Sequence, residues 1–137
     1  MKNKLAEQTV KSAEFLRTRR RSFVWAINGL VFAFKTQPNI WIHAVATVAV
    51  VAVSFWLEIS RFEWLAIIMA IGLVWVAELM NTVAETIVNL SSPDKHPLAG
   101  IAKDLAAATV LVTAIVAVLI GLIVLGLPLL SKLGITL

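Results

Sequence analysis

Residues 77–89 read AELMNTVAETIVN, and they continue without a break from the apolar run between Trp64 and Val76. At 100° per residue, a helix would bring the polar side chains of this stretch into a sector about 100° wide. The polar stripe consists of Glu78, Asn81, Thr82, Glu85 and Asn89. A carboxylate within a membrane span is penalised by roughly 2.5–3.5 kcal/mol, so two of them require partners, water or a bound cation. The stripe is therefore the first candidate for a functional site.

The composition predicts an all-α integral membrane protein. Hydrophobic residues make up 60% of the 137 residues, well above the roughly 45–50% typical of soluble domains. Three apolar segments each approach the roughly 20 residues that cross a bilayer core. The length leaves room for a single domain, residues 1–137. Cysteine is absent, which excludes disulfides and thiolate metal sites.

The pattern along the chain predicts four helices. We expect a surface helix at about residues 3–36 and membrane spans at about residues 40–58, 62–90 and 102–127. Pro38 should separate the surface helix from the first span, because proline lacks the amide hydrogen and disfavours helix at the preceding residue. We expect the third span to begin near Ala102 and to stop at Pro128. No internal repeat is visible, which counts against the repeat architecture of many transporters.

The surface helix carries an apolar stripe. Phe23, Ile27, Leu30 and Phe34 recur at helical spacing, and a basic run from Arg17 to Arg21 precedes them. This pattern is typical of a helix lying on the cytoplasmic membrane surface, with arginines near anionic head groups. A short helix packed only on protein remains the alternative.

The positive charge predicts an orientation in the membrane. The net charge is +4, and eight of the twelve Lys and Arg residues precede Asn39. We attribute this to anchoring by the positive-inside rule and expect no nucleic acid partner. The first 21 residues carry seven of these cations and no uninterrupted apolar run, so they do not resemble a signal peptide. Three spans then place the N-terminus in the cytoplasm and the C-terminus outside.

The two carboxylates of the polar stripe suit two different tasks. Glu78 and Glu85 are seven residues apart, about 10.5 Å along a helix, which is too far to share one ion. One could take a proton from a lipid hydroxyl while the other holds a cation. Lys103 and Asp104 open the third span beside them, and this inventory suits phosphoryl transfer. A proton or ion pathway along the stripe is the rival hypothesis, and no glycine-rich nucleotide signature is present.

Two groups of residues together resemble the prokaryotic diacylglycerol kinase and undecaprenol kinase family. They read Glu78-x-x-Asn81-Thr82-x-x-Glu85 and His96-Pro97-Leu98-Ala99-x-x-Ala102-Lys103-Asp104-x-Ala106-Ala107. The resemblance extends from about Arg17 to Leu127. It implies a homotrimer in the inner membrane that uses ATP and Mg²⁺ to phosphorylate a lipid alcohol, at active sites shared between subunits. The residues from His96 to Ala99 are more similar to the undecaprenol kinases than to the diacylglycerol kinases.

The resemblance also implies a role for each candidate site residue. Glu78 would be the general base, Asn81 would orient one or both carboxylates, and Glu85 would be a Mg²⁺ ligand. The nucleotide would be contacted by Trp25, Asp94, Lys95, His96, Lys103 and Asp104.

Two positions depart from the family pattern. Gln37 stands where the family usually has a second metal-binding glutamate, and Asn89 replaces a usual aspartate. A glutamine carbonyl oxygen can still bind Mg²⁺, but we expect weaker binding without the charge. Reduced activity, an altered substrate or a deliberate glutamate-to-glutamine change are all compatible with these departures, and a catalytically impaired homologue is a further hypothesis that they motivate.

Simpler structural roles exist for several of these residues. Glu78 and Glu85 could pair with Lys103 or with an arginine of a neighbouring subunit. Asn81 and His43 could hydrogen-bond another helix, and for His43 this is the expected role. His96 could be an ordinary loop residue, and Asp104 could favour the start of the third helix through the macrodipole.

Overall fold

The computed structural model describes residues 2–92 and 96–135, and for residues 2–16 it describes the helical backbone only. Over these ranges the chain is helical and contains no strand. Its helices are α1 Lys2–Thr36, α2 Pro38–Trp56, α3 Arg61–Ser91 and α4 Pro97–Lys132. The chain divides into two compact units, Met1–Thr36 and Gln37–Leu137. In the second unit α2, α3 and α4 are each long and apolar enough to cross a membrane, which confirms the prediction of an all-α membrane protein.

The predicted break between the surface helix and the first span lies at Gln37. α1 ends at Thr36, and Gln37 has extended backbone angles, φ −112° and ψ 107°. Pro38 then opens α2 at a position where its missing amide hydrogen costs nothing, since the first amides of a helix have no intrahelical partner.

A tight turn reverses the chain between α2 and α3. Its residue Glu58 has a positive φ of 55°, although glycine is the usual residue there. The amide of Glu58 donates to the carbonyl of Phe55 at 3.2 Å, and that of Ile59 donates to the carbonyl of Ser54 at 3.4 Å. These two bonds satisfy the end of α2, so the Schellman turn forms without glycine.

A capping box starts α3 immediately after this turn. The Ser60 hydroxyl accepts from the Glu63 amide at 3.4 Å, and the Glu63 carboxylate accepts from the Ser60 amide at 2.6 Å. Beside it, Leu57 and Ile59 are buried with Ile67 in an apolar cluster. The box and the cluster fix the antiparallel return of α3.

The fourth helix is longer than predicted at both ends. α4 begins at Pro97, five residues before the expected start, and continues through Pro128 to Lys132. Pro128 removes one amide but does not stop the helix, as is often tolerated in membrane helices. The helix ends instead at a Schellman turn around Gly134, whose φ is +75°. The prediction that the third span stops at Pro128 was wrong as a statement about the helix.

α3 packs along α4 and more sparsely against α2. The three helices line a mainly apolar, half-open cavity of about 380 Å³. Residues from all three helices contribute to its wall, among them His43, Thr47, Val74, Ala117 and Gly121. Thr47 accepts a hydrogen bond from the Trp75 indole at 3.0 Å, which links α2 to α3 beside the cavity.

We expect Ser60→Ala to lower the free energy of unfolding by about 1 kcal/mol, because it removes an N-cap acceptor. The measurement is unfolding of the detergent-solubilised protein by a denaturing detergent. Ser131→Ala is the matched control, since Ser131 is an exposed serine near the end of α4. Equal stability of the two variants would contradict a stabilising capping box.

Candidate functional site

The polar stripe runs along one face of α3 from a buried end to an exposed end. Glu78 is completely buried, and Asn81 and Thr82 are 4% and 5% exposed. Glu85 is half-buried and Asn89 is exposed. If the bilayer core begins at Trp64, the first aromatic residue of the apolar run, a thickness of about 30 Å ends near residue 84. Glu78 then lies inside the hydrocarbon layer, and Glu85 lies at its boundary.

The Glu78 carboxylate is the least satisfied group of the stripe. Among the described residues, neither of its oxygens has a hydrogen-bond partner. The Nε2 atom of His43 on α2 lies 3.6 Å from Oε2 of Glu78, which is longer than a hydrogen bond. The expected interhelical hydrogen bond of His43 is therefore replaced by a close approach to a carboxylate. A buried, unsatisfied carboxylate is costly for a fold and is typical of a functional position.

The Glu85 carboxylate, in contrast, is held by two amides. Gln37 Nε2 donates to Oε2 at 2.9 Å, and Asn81 Nδ2 donates to Oε1 at 3.3 Å. Gln37 precedes α2, so this contact ties the start of α2 to α3. Asn81 contacts Glu85 and lies one turn from Glu78, which places it between the two carboxylates.

The surroundings of Glu85 offer few ligands for a metal ion. No group of three His, Cys, Asp or Glu side chains suited to a metal occurs among the described residues. Mg²⁺ is commonly held by one or two carboxylates together with substrate phosphates and water. Glu85 fits that pattern, and Gln37 would fit it with its amide turned so that the carbonyl oxygen faces the ion. The donor set is therefore compatible with Mg²⁺ but holds only one carboxylate.

A second polar contact joins α4 to the exposed end of the stripe. Lys103 Nζ donates to Asn89 Oδ1 at 2.7 Å. The asparagine orients the ammonium group without neutralising it, because its side chain is uncharged. One of the simpler structural roles paired Lys103 with Glu78 or Glu85. In the structure Lys103 contacts Asn89 instead. Asp104 is exposed and lies two turns inside α4, beyond the first turn in which the macrodipole acts.

The remaining predicted nucleotide contacts are placed only in part. His96 caps α4, since its Nδ1 atom accepts from the Leu98 amide at 3.2 Å. Its Nε2 atom takes no part in this bond. Trp25 lies in α1 and is 65% exposed. Asp94 and Lys95 lie outside the described residues.

The structure adds one candidate site residue, His43, which sequence reasoning had given only a structural role. His43 precedes Glu78 by 35 positions, and no motif connects the two. The available signal was the position of a histidine one turn inside a membrane span, where ionisable side chains generally face other polar groups.

Comparison with known proteins gives a consistent result. Residues 24–125 match the family described as prokaryotic diacylglycerol kinase. The chain is 41% identical over 104 residues to undecaprenol kinase of Bacillus subtilis, covering 76% of this chain and 85% of that protein. It is 40% identical over 111 residues to a diacylglycerol kinase of Synechocystis, covering 80% and 63%. It is 29% identical over 104 residues to diacylglycerol kinase of Escherichia coli K12, covering 71% and 85%.

We expect replacement of Glu78 and of Glu85 by glutamine to change the free energy of unfolding in opposite directions. Glu78→Gln should raise the free energy of unfolding by about 1–3 kcal/mol, because it replaces a buried carboxylate that lacks hydrogen bonds. Glu85→Gln should lower it by a similar amount, because both carboxylate oxygens accept amide hydrogens. The measurement is unfolding in detergent with EDTA and without nucleotide. A loss of stability in Glu78→Gln equal to that in Glu85→Gln would contradict the observed difference in partners.

Proposed function

The chain belongs to the prokaryotic diacylglycerol kinase family and is a lipid kinase, and from this premise we propose that it phosphorylates undecaprenol, with Glu78 as the general base. The preference for undecaprenol over diacylglycerol is supported by the 41% identity to an undecaprenol kinase over most of both chains. The base assignment is supported by the burial of Glu78 and by the absence of hydrogen-bond partners for its oxygens among the described residues. A carboxylate with free lone pairs can accept a hydroxyl proton.

The proposed reaction begins with the acceptor lipid in the membrane. Because Glu78 is completely buried, a displacement of the groups that enclose it would let the lipid hydroxyl reach it from the hydrocarbon layer and give its proton to the carboxylate. The lipid oxygen then attacks the γ-phosphorus of ATP, and the bond to the bridging oxygen of ADP breaks. Asn81 donates a hydrogen bond to Glu85 and, from its place between the two carboxylates on α3, orients Glu85 relative to Glu78. Lys103, oriented by Asn89, offsets charge on the phosphates.

Membership of a kinase family implies that the protein uses ATP and a divalent metal ion, and we propose Mg²⁺ as that ion. Glu85 and Gln37 would hold it, and when bound it would neutralise charge on the phosphates. The nucleotide would be contacted by Trp25, Asp94, Lys95, His96, Lys103 and Asp104, as the family resemblance implies. His96 is compatible with this role, since its cap bond uses Nδ1 and leaves Nε2 for a ligand.

The cavity between α2, α3 and α4 supports a lipid acceptor. Its wall is apolar apart from His43 and Thr47, and a volume of about 380 Å³ falls in the usual range of ligand pockets. His43 links it to Glu78. A hydrocarbon chain in this cavity would therefore bring the attached hydroxyl toward the base.

The wider organisation follows the family resemblance. Residues 1–137 would make up a single lipid kinase domain, and three copies would form a homotrimer with shared active sites. The apolar stripe of α1 lies on the cytoplasmic surface of the inner membrane, where the cations near the N-terminus face the cytoplasm. The exposure of Phe23 and Ile27 in α1, 71% and 58%, supports a membrane-facing role for this stripe.

The deciding experiment is transfer of the γ-phosphate of MgATP in nanodiscs, with undecaprenol and diacylglycerol offered separately. We expect transfer to undecaprenol to exceed transfer to diacylglycerol. Glu78→Gln should lower kcat by about 100-fold or more, the range in which positioned bases contribute, while the protein stays trimeric and binds nucleotide. Full turnover of that variant would rule out Glu78 as base. Proton flux into vesicles without lipid phosphorylation would favour the ion-pathway hypothesis.

The substitution Gln37→Glu tests the metal site and the hypothesis of an impaired homologue. A second carboxylate should bind Mg²⁺ more tightly, so the Mg²⁺ concentration for half-maximal activity should fall about tenfold, or turnover should rise if the site is disabled. Without Mg²⁺ the variant should be less stable than the parent protein, because two carboxylates then face each other in place of the bond from Gln37 to Glu85. The measurements are Mg²⁺ titration of turnover and unfolding in EDTA. An unchanged Mg²⁺ dependence would remove Gln37 from the metal site.

A further inference from the structure

We propose that His43 is the group through which the proton taken up by Glu78 leaves the buried site. The inference rests on the proposed role of Glu78 and adds a relay residue that acts through it. His43 lies on α2, and its Nε2 atom is 3.6 Å from Glu78 Oε2.

The first argument is that a buried base must dispose of its proton in every turnover. Glu78 is 0% exposed, so its carboxyl group has no direct contact with solvent. Its oxygens have no hydrogen-bond partner among the described residues. Asn81, its neighbour on the stripe, carries an amide, which does not accept a proton near neutral pH.

The second argument is that His43 has the position and chemistry of a proton acceptor. Its side chain is 16% exposed, whereas that of Glu78 is fully enclosed. It lies five residues after Pro38, about 7.5 Å along α2 from the end at which Gln37 binds Glu85. A neutral imidazole has one ring nitrogen without a hydrogen, so it can accept a proton there and release one again.

In the described part of the chain, Glu78 is the one ionisable group that faces the imidazole of His43. From α3 the facing charged group is Glu78. From α4 the wall of the shared cavity is built of apolar residues such as Ala114 and Ala117. On α2 itself, Thr47 donates to the His43 backbone carbonyl at 2.7 Å and leaves the imidazole unengaged.

The proton balance of the relay is closed. The lipid hydroxyl gives its proton to Glu78 as the bond from oxygen to phosphorus forms and ADP departs. The neutral carboxylic acid then passes this proton to Nε2 of neutral His43, which becomes an imidazolium. After the lipid product leaves the cavity that His43 lines, the imidazolium releases a proton to water, so both side chains return to their starting charges. A shift of about 0.5 Å brings the two atoms within hydrogen-bond range for the transfer.

The test compares His43→Ala and His43→Gln in the phosphate-transfer assay. We expect both variants to lose about 10- to 100-fold in kcat, the lower part of the range for acid–base groups, with an unchanged KM for MgATP. His43→Ala opens space next to the cavity, so free imidazole should restore kcat with saturation. Glutamine does not titrate, so the pH dependence of kcat in His43→Gln should lose a protonation step present in the parent protein.

Thr113→Val is the matched control, because Thr113 bonds only to backbone carbonyls of its own helix in the contacts described, at 3.0 and 2.9 Å. It should keep parental kcat and pH dependence. Parental kcat in either His43 variant would overturn the relay. So would a defect of His43→Ala that His43→Gln repairs, since a neutral hydrogen-bonding side chain would then suffice. If His43→Ala does not fold, the pH profile of His43→Gln decides.

The relay and the base assignment fail in distinguishable ways. An active Glu78→Gln protein would remove the base, and the relay with it. An inactive Glu78→Gln protein together with fully active His43 variants would leave the proposed base intact and remove the relay alone.

Discussion

The constraint on which the second unit depends is the burial of a carboxylate inside a membrane helix. Glu78 takes its place in α3 without a hydrogen bond among the described residues, and His43 on α2 approaches its carboxylate at 3.6 Å. Such a group destabilises the fold, because neither water nor a protein donor replaces its solvation. The surrounding helices offset this cost through apolar contacts elsewhere, chiefly along α3 and α4 and around the turn from α2 to α3. The apolar contacts between helices therefore stabilise the unit, whereas the polar stripe on α3 carries the candidate site.

The exposed half of the polar stripe has the opposite character, because its side chains are tied to the other helices. Glu85 receives the amides of Gln37 and Asn81, and Asn89 receives Lys103 from α4. These contacts bring the start of α2, the end of α3 and the start of α4 to the same end of the unit. The candidate site thus combines a buried carboxylate without hydrogen-bond partners among the described residues, that of Glu78, with a fixed set of polar groups toward the exposed end of the stripe.

Much of the fold could be predicted because membrane-spanning helices require long apolar segments, which are easily recognised in a sequence. Apolar runs of about 20 residues set the three spans, and Pro38 marked the break at Gln37. The end of α4 was missed because Pro128 was taken as a stop, while the signal that ends the helix is Gly134, six residues later. The burial order along the stripe could not be predicted, since helical spacing shows which residues share a face and not how deeply a neighbour covers them. The contact of His43 with Glu78 depends on the register between two helices, which no local pattern encodes.

The graded exposure of the polar stripe bears on a side reaction that every kinase must suppress. Water competes with the lipid hydroxyl as acceptor of the phosphoryl group, and it is far more abundant. On α3 the groups proposed for the nucleotide and metal lie toward the exposed end, whereas Glu78 is enclosed at the other. In the proposed reaction, a water molecule that reaches the phosphates from the aqueous side is separated from Glu78, the proposed base, by about 10.5 Å along α3. A hydroxyl that arrived through the hydrocarbon layer would meet the proposed base first, so on this proposal the direction of approach would select transfer over hydrolysis.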